Sequence, residues 1–224
     1  MKKIVIASSL LLLFVSGCSM NGANKTVEGN NKSPQKAQTT KIDEKVTDDR
    51  SIISFHGKYS SLASDLDELE STSPIVVEVI KNDEEQTVKK ESDKNTLPTE
   101  FYTLSGVTIT EIQKDESSTL KEGDKIKVLE DVATNVLIEG KARTLTVDNY
   151  KKMETGKSYY LYLRDSTSGD NYVLTNAFLS KYPTKEEPKS KLFLAESNLT
   201  ENIEETNHQD LYEDLYTEIL HGNE

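Results

Sequence analysis

Short apolar runs recur along the middle of the chain, and polar or glycine-containing turns separate them. The runs are rich in β-branched and tyrosine residues, and no helical pattern lies between them. Such a pattern predicts a mainly β domain, and it favours a small antiparallel barrel, closed or half-closed, or a small sandwich. The predicted strands occupy residues 75–80, 101–112, 125–129, 136–138, 142–147, 157–163 and 172–174.

Two amphipathic stretches flank the predicted strands. Between residues 51 and 70, apolar side chains recur at spacings of three and four, which predicts a helix with one apolar face and Ser51 as its N-cap. Gly57 lies inside this stretch, where a glycine costs about 1 kcal/mol relative to alanine and can split the helix. Residues 207–221 show the same spacing and predict a C-terminal helix. Its apolar face could pack on the domain or bind a partner.

The first residues follow the plan of a secretory signal. Lys2 and Lys3 form a positive start, and an apolar run covers residues 4–15. This run is shorter than the roughly 20 residues that a transmembrane helix needs. The next residues, Ser16, Gly17 and Cys18, follow Val15, and this sequence resembles the lipobox of bacterial lipoproteins. A lipobox has an aliphatic residue and two small residues before the cysteine.

This resemblance implies cleavage between Gly17 and Cys18 and a diacylglycerol on the thiol of Cys18. Two acyl chains hold a protein on a membrane stably, whereas one gives marginal binding. Cys18 is the chain's one cysteine, which excludes an internal disulfide and a cysteine-cluster metal site. We therefore expect a lipid anchor on the extracytoplasmic face of the cell membrane, at the surface of a Gram-positive bacterium. The alternative is a plain signal peptide with an incidental cysteine.

These features predict four regions. Residues 1–17 are the lipoprotein signal peptide, and residues 18–50, which are polar and without periodicity, are a lipidated, disordered tether. Residues 51–182 form a helix and a β-barrel domain. Residues 183–224 form a connector and the acidic C-terminal amphipathic helix.

The order of elements over about residues 62–182 resembles known small barrels. The segments concerned are LDEL at 66–69, IVVEV at 75–79, VTITEI at 107–112, LKEGDKIKV at 120–128 and GKSYYLYL at 156–163. They look like small extracellular β-barrels of Gram-positive lipoproteins and, in outline, like the OB-like barrels of netrin-type and metalloprotease-inhibitor domains. These are packing and turn motifs, and the netrin-type disulfides are absent here. The resemblance therefore implies an OB-like fold and no functional residue.

Composition and charge narrow the function classes. The chain has 224 residues and a formal net charge of −12. This charge argues against nucleic acid as a partner, since nucleic-acid binding needs a basic surface. The three histidines are scattered and no Gly-x-Ser-x-Gly turn occurs, so we predict no catalytic residue, metal ligand or cofactor. The histidines are His56, His208 and His221.

Two further patterns have more than one interpretation. The segment 165–171 offers oxygen ligands for Ca²⁺, but it lacks the spacing of an EF-hand loop, and a hairpin turn is the favoured interpretation. Tyr159, Tyr160 and Tyr162 alternate across one predicted strand. They could form an aromatic face for a sugar or a peptide, but a half-buried sheet surface is the commoner use of such residues.

Together these patterns predict a non-enzymatic, membrane-anchored extracytoplasmic lipoprotein that presents a small β-barrel to an unidentified protein or small ligand. An alternative is an accessory or inhibitor protein that docks a basic partner through its acidic C-terminal helix. Residues 195–224 contain nine acidic residues and neither lysine nor arginine, which motivates that alternative. A cell-envelope enzyme is the least favoured interpretation.

Overall fold

The fold is mainly β, with a six-stranded sheet, a three-stranded sheet and two α-helices. The computed structural model describes residues 52–91, 97–194 and 208–222. The elements are β1 Ile52–Phe55, α1 Leu66–Thr72, β2 Ile75–Lys90, β3 Glu100–Asp115, β4 Lys125–Glu130, β5 Val132–Ile138, β6 Lys141–Val147, β7 Ser158–Asp165, β8 Tyr172–Leu174, β9 Lys181–Pro183 and α2 His208–Gly222. Short 3-10 turns occupy Ala177–Ser180 and Lys189–Lys191.

The larger sheet has the order β2-β3-β4-β8-β7-β9, and β2 also pairs with β7. Five strands therefore form a closed circuit of hydrogen bonds, from β2 through β3, β4, β8 and β7 back to β2. The pairing of β4 with β8 is parallel, and the other pairs of this sheet are antiparallel. β9 lies outside the circuit and pairs with residues 159–161 of β7, on the edge of β7 that pairs with β8 further along.

A bulge divides the long strand β2 into two parts. Its apolar first part pairs with β7 as far as Ile80, and its polar second part continues with β3 to Lys90. The register shifts between Lys81 and Glu85, opposite Gly106 of β3. A Cβ on Gly106 would lie 2.4 Å from the side-chain oxygen of Asn82, so glycine is what lets the two strands approach here.

The smaller sheet covers a second, minor core. β6 pairs with β1 in parallel and with β5 antiparallel. Phe55 of β1 packs against Phe101 of β3, with ring centroids 5.4 Å apart. This contact joins the small sheet to the β2–β3 hairpin. The buried members of the minor core are Ala133, Val136, Ile138 and Leu145.

Helix α2 packs on the main core. Tyr212, Leu215, Tyr216 and Ile219 of α2 are buried. The Tyr212 ring stacks on the Tyr182 ring of β9 at 4.7 Å between centroids. The structure thus confirms the predicted C-terminal helix and places its apolar face on the domain's own core.

The predicted helix over residues 51–70 is wrong for most of its length. Ile52–Phe55 is strand β1, and the helix is confined to Leu66–Thr72. Its N-cap is Asp65, whose side chain accepts a hydrogen bond from the Glu68 amide at 2.8 Å, while Ser51 lies outside the described residues. The apolar spacing gave a wrong prediction because these side chains belong to two different cores rather than to one helix face. Phe55 packs on the minor core, whereas Leu69 is buried in the main core.

The predicted signal peptide and tether, residues 1–17 and 18–50, lie outside the described residues. Within the described ranges, no helix has both the length and the apolar character that crossing a bilayer requires.

Candidate functional site

A cleft opens between residues 151–154 and strand β9, beside α2. The cleft is shallow: most of the space between its lining residues is open to solvent, and its enclosed part is about the size of one water molecule. Its charged lining residues are Lys151, Lys152, Lys181, Lys191, Glu154 and Glu187. Four lysines and two glutamates give the lining a formal charge of +2 (4 − 2) on a chain whose net charge is −12. A locally positive cleft on an acidic protein concentrates the field that attracts anions.

Lys181, the first residue of β9, is the buried cation of this cleft. Its side chain is 5% exposed, and its Nζ donates a hydrogen bond to the backbone oxygen of Lys151. The Nζ lies 4.1 Å from the ring centroid of Tyr150 and 5.7 Å from that of Tyr159. Within the described ranges, no carboxylate oxygen is within 4.0 Å of this Nζ.

Burial lowers the pKa of Lys181 to about 8, and the attraction of Glu130 opposes that shift. Removing an ammonium from water disfavours its charged form, and a nearby negative charge only partly compensates. An amine with such a pKa, at the wall of an aromatic-lined cleft, is the kind of group that marks functional sites.

Glu130, at the end of β4, is the buried acid behind this cation. It is fully buried and accepts hydrogen bonds from the Ser105 hydroxyl, from the Tyr150 hydroxyl at 2.7 Å and from the Met153 amide at 2.8 Å. Three donors satisfy the carboxylate within the core. Glu130 is therefore held by its own partners and acts on Lys181 through space. Burial and the charge of Glu130 raise the pKa of Tyr150.

The two acids at the rim are held by neighbouring lysines. Lys157 lies 3.0 Å from a carboxylate oxygen of Glu154 and 2.6 Å from one of Glu187. Lys151 forms a second ion pair with Glu154, at 2.7 Å. Hydrogen bonds from these two ammonium groups lower the pKa of Glu154 to about 2. The hydrogen bonds that Lys157 donates to the carboxylates of Glu187 and Glu154 raise the pKa of Lys157.

Tyrosines hold the walls of the cleft in place. The Tyr159 hydroxyl accepts a hydrogen bond from the Glu154 amide at 2.9 Å, and the Tyr212 hydroxyl donates to the Lys181 backbone oxygen at 2.8 Å. Because the second contact comes from α2, the cleft depends on the docking of that helix. The site can therefore present a fixed positive charge between aromatic walls.

A second polar cluster surrounds Asp148, at the end of β6. Its carboxylate accepts hydrogen bonds from the Tyr59 hydroxyl at 2.6 Å and the Gly57 amide at 3.2 Å, and it lies 3.3 Å from Nδ1 of His56. Burial raises the pKa of Asp131, and repulsion from Asp148 adds to that shift. These contacts fasten the segment 56–59, which follows β1, to the domain.

The candidate residues from the sequence do not form one exposed site among the described residues. Gly17 and Cys18 lie outside the described residues. Tyr159 and Tyr162 are buried and Tyr160 is half-buried, so the three tyrosines form no exposed aromatic face. This agrees with the sheet-surface interpretation and overturns the sugar- or peptide-binding one.

The segment 165–171 is the turn between β7 and β8. The Ser166 amide donates to the Asn171 backbone oxygen at 2.8 Å, which closes this hairpin. Among residues 52–91, 97–194 and 208–222, no group of three or more His, Cys, Asp or Glu side chains could hold a metal ion.

One position in the sequence, Glu130, could have predicted part of the cleft. Ile126 and Val128 face the core by alternation, and Glu130 continues the same face of β4. An acid at an inward position predicts a buried polar partner. Lys181 carried no such signal, because its burial depends on residues 150 and 212, which are distant in sequence.

No protein-family model, no curated protein and no solved structure matches this chain.

Proposed function

We propose that this chain is a membrane-anchored extracytoplasmic lipoprotein whose β domain is a non-enzymatic binding module. The sequence from Val15 to Cys18 supports the anchor, because the chain's one cysteine stands at the position that a lipobox requires. Two acyl chains on Cys18 would hold the mature protein on the outer face of the cell membrane. A Gram-positive cell surface is the location that this proposal implies.

The strand pairing supports an OB-like barrel as the form of this module. Five strands form a closed circuit, and the long strand β2 bends at a bulge so that it pairs with both β3 and β7. A five-stranded, partly open barrel with one long bent strand is the plan of OB-like folds, which commonly serve as binding modules.

The observation that carries the binding role is the positively charged cleft around Lys181. Its charges are held by packed tyrosines and ion pairs, so the site is formed before any ligand arrives. Ligand sites are typically concave and largely preformed, with a few polar groups placed among apolar walls. The enclosed part of the cleft is about the size of one water molecule, so it suits a small charged group that binds at its open mouth.

Fatty-acid labelling tests the anchor. Cells that express the full chain are grown with a labelled fatty acid, and the membrane fraction is examined for the labelled protein. We expect the wild type to be labelled and processed, and Cys18→Ala to stay an unlabelled precursor, because it lacks the thiol that carries the lipid. Ser16→Ala, which keeps a small residue, is the matched control and should behave as the wild type. An unlabelled wild type would overturn the proposal.

A second candidate function is the docking of a basic partner on the outer face of α2. With the apolar face of α2 in the core, Asp210, Asp214 and Glu218 remain exposed on the outer face. Glu213 is already paired with Lys189. These acids are already exposed in the folded domain, so a partner can reach them without unfolding α2. An exposed acidic face supports electrostatic docking of a basic partner.

Charge removal on this face tests the second candidate. Asp210→Asn, Asp214→Asn and Glu218→Gln together remove three negative charges from the exposed face and leave the core intact. We expect this variant to lose binding of immobilised polylysine at low salt, relative to the wild type. The matched control removes three acids elsewhere, with Asp83→Asn, Glu122→Gln and Asp170→Asn. Equal loss in both variants would point to net charge alone and contradict docking on α2.

A further inference from the structure

We infer that the cleft around Lys181 is a binding site for a phosphate group. The inference rests on the proposed binding role of the same cleft and names the chemical class of its ligand. Three features carry it: a buried ammonium and a second ammonium at the rim, neither of which has a carboxylate partner among the described residues, and a small opening between them.

The first feature is the state of the Lys181 ammonium. It has three N–H donors, and the structure gives it one acceptor, the Lys151 backbone oxygen. The oxygens of Glu130 already serve Ser105, Tyr150 and Met153. A buried charge is normally paired, since leaving water is costly. Lys181 is thus a residue of the cleft lining whose charge and remaining donors an anion would satisfy.

The second feature is the distribution of ion pairs around the rim. Lys151 and Lys157 hold Glu154 and Glu187, and Lys152 holds Glu85 at 2.6 Å. After these pairs are assigned, Lys181 and Lys191 are the cleft lysines with no carboxylate partner in the part of the chain that the structure describes. Two uncompensated cations match the two negative charges of a phosphate group near neutral pH.

The third feature is the size and lining of the space. The enclosed part of the cleft is about the size of one water molecule, and the rest of its space is open to solvent. It therefore suits a single oxygen of a phosphate group whose remaining atoms stay at the open mouth. Tyr159, Tyr212, Pro183 and Leu192 form walls that shield the charges from water. Lysine binds phosphate as a point charge, so no fork geometry is required.

Two sources could supply this group: a free phosphate or phosphate monoester, and the phosphate of a lipid headgroup in the membrane to which the protein would be anchored. The test therefore uses two probes. Inorganic phosphate is titrated into the full chain at pH 7.5 (about half a unit below the Lys181 pKa) and constant ionic strength, and heat is measured. In parallel, protein of residues 19–224, which lacks both the apolar run 4–15 and the cysteine that would carry the lipid, is mixed with vesicles of phosphatidylglycerol or of phosphatidylcholine, and sedimentation is measured.

We expect saturable binding of one probe at a single site. Lys181→Met should weaken it by about tenfold or more, and Lys191→Met by roughly threefold, because each removes one of the two uncompensated charges. Lys125→Met, an exposed lysine of β4, is the matched control and should change little. Lys181-dependent binding of inorganic phosphate identifies the free source. Lys181-dependent binding of phosphatidylglycerol vesicles alone identifies the lipid source.

Three results would overturn the inference: no saturable binding of either probe, equal binding by the wild type and both lysine variants, or acetate binding as tightly as phosphate. If Lys181→Met fails to fold, the exposed Lys191→Met variant and the ¹⁵N chemical shift of the Lys181 Nζ during the phosphate titration decide the question. Cys18→Ala should bind inorganic phosphate as the wild type does. Failure of the anchor and failure of the cleft are therefore separate results.

Discussion

Glu130 illustrates how one inward-facing acid organises the residues around it. Its carboxylate accepts hydrogen bonds from a serine hydroxyl of β3 and from a tyrosine hydroxyl and a backbone amide of the segment 150–153. The tyrosine among them, Tyr150, also presents its ring to the Lys181 ammonium. The acid, the aromatic ring and the cation thus form one connected group, and the position of Lys181 depends on Glu130 without a direct ion pair.

We predict that Glu130→Ala strongly destabilises the domain. The change leaves the donors of Ser105, Tyr150 and Met153 buried without an acceptor, and each unsatisfied buried donor costs about 1–3 kcal/mol. We therefore expect a loss of about 3–5 kcal/mol in the free energy of unfolding, measured by urea denaturation.

Two further variants make this measurement specific. Glu130→Gln keeps one acceptor oxygen, so its loss should be smaller than that of Glu130→Ala. Glu122→Ala removes an exposed carboxylate and should stay within about 0.5 kcal/mol of the wild type. If Glu130→Ala unfolds at the same urea concentration as Glu122→Ala, the buried network contributes nothing to stability.

At the scale of elements, several strands of both sheets were predictable because their apolar alternation is local. The predicted strand at 172–174 matches β8, and those at 125–129 and 142–147 differ from β4 and β6 by one residue at one end. Local alternation gives the wrong prediction where pairing with a neighbouring strand decides the structure of a polar segment. Residues 81–90 are mostly charged and polar, which is typical of a loop or a hairpin tip, yet they continue β2 because β3 pairs with them.

The prediction of a helix at residues 52–55 was wrong for a related reason. Its four residues are one short segment whose partner, β6, lies about ninety residues later, and only that pairing distinguishes a strand from a helical turn. The candidate site shows the same limit. Glu130 could have been found from alternation along β4, whereas Lys181 becomes a buried cation only when β9 packs beneath Tyr212 of α2.

At the scale of the whole molecule, α2 closes the main core from outside the sheet. Tyr182 of β9 contacts Tyr162 of β7 on one side and stacks with Tyr212 and Tyr216 of α2 on the other. The Tyr216 hydroxyl donates to the Lys185 backbone oxygen at 2.6 Å and accepts from the Glu187 amide at 3.0 Å. The helix therefore holds the connector that carries one rim acid of the cleft, so fold and site share the same contacts.

We predict that removing residues 208–224 unfolds the domain rather than trimming an appendage. The truncation exposes the core beneath Tyr212, Leu215, Tyr216 and Ile219 and removes those four buried side chains. Burying each such side chain stabilises a fold by about 1.5–3 kcal/mol, so the combined loss is about 6–12 kcal/mol. This is as large as the roughly 5–15 kcal/mol by which a typical domain is stable.

Circular dichroism during urea titration measures this outcome. We expect the truncated chain to show no cooperative transition, and Leu215→Ala alone to lower the free energy of unfolding by about 2–5 kcal/mol. Thr217→Ala, on the exposed face of the same helix, is the matched control and should unfold as the wild type does. A truncated chain that still unfolds cooperatively at the wild-type midpoint would contradict the role of α2 in the core.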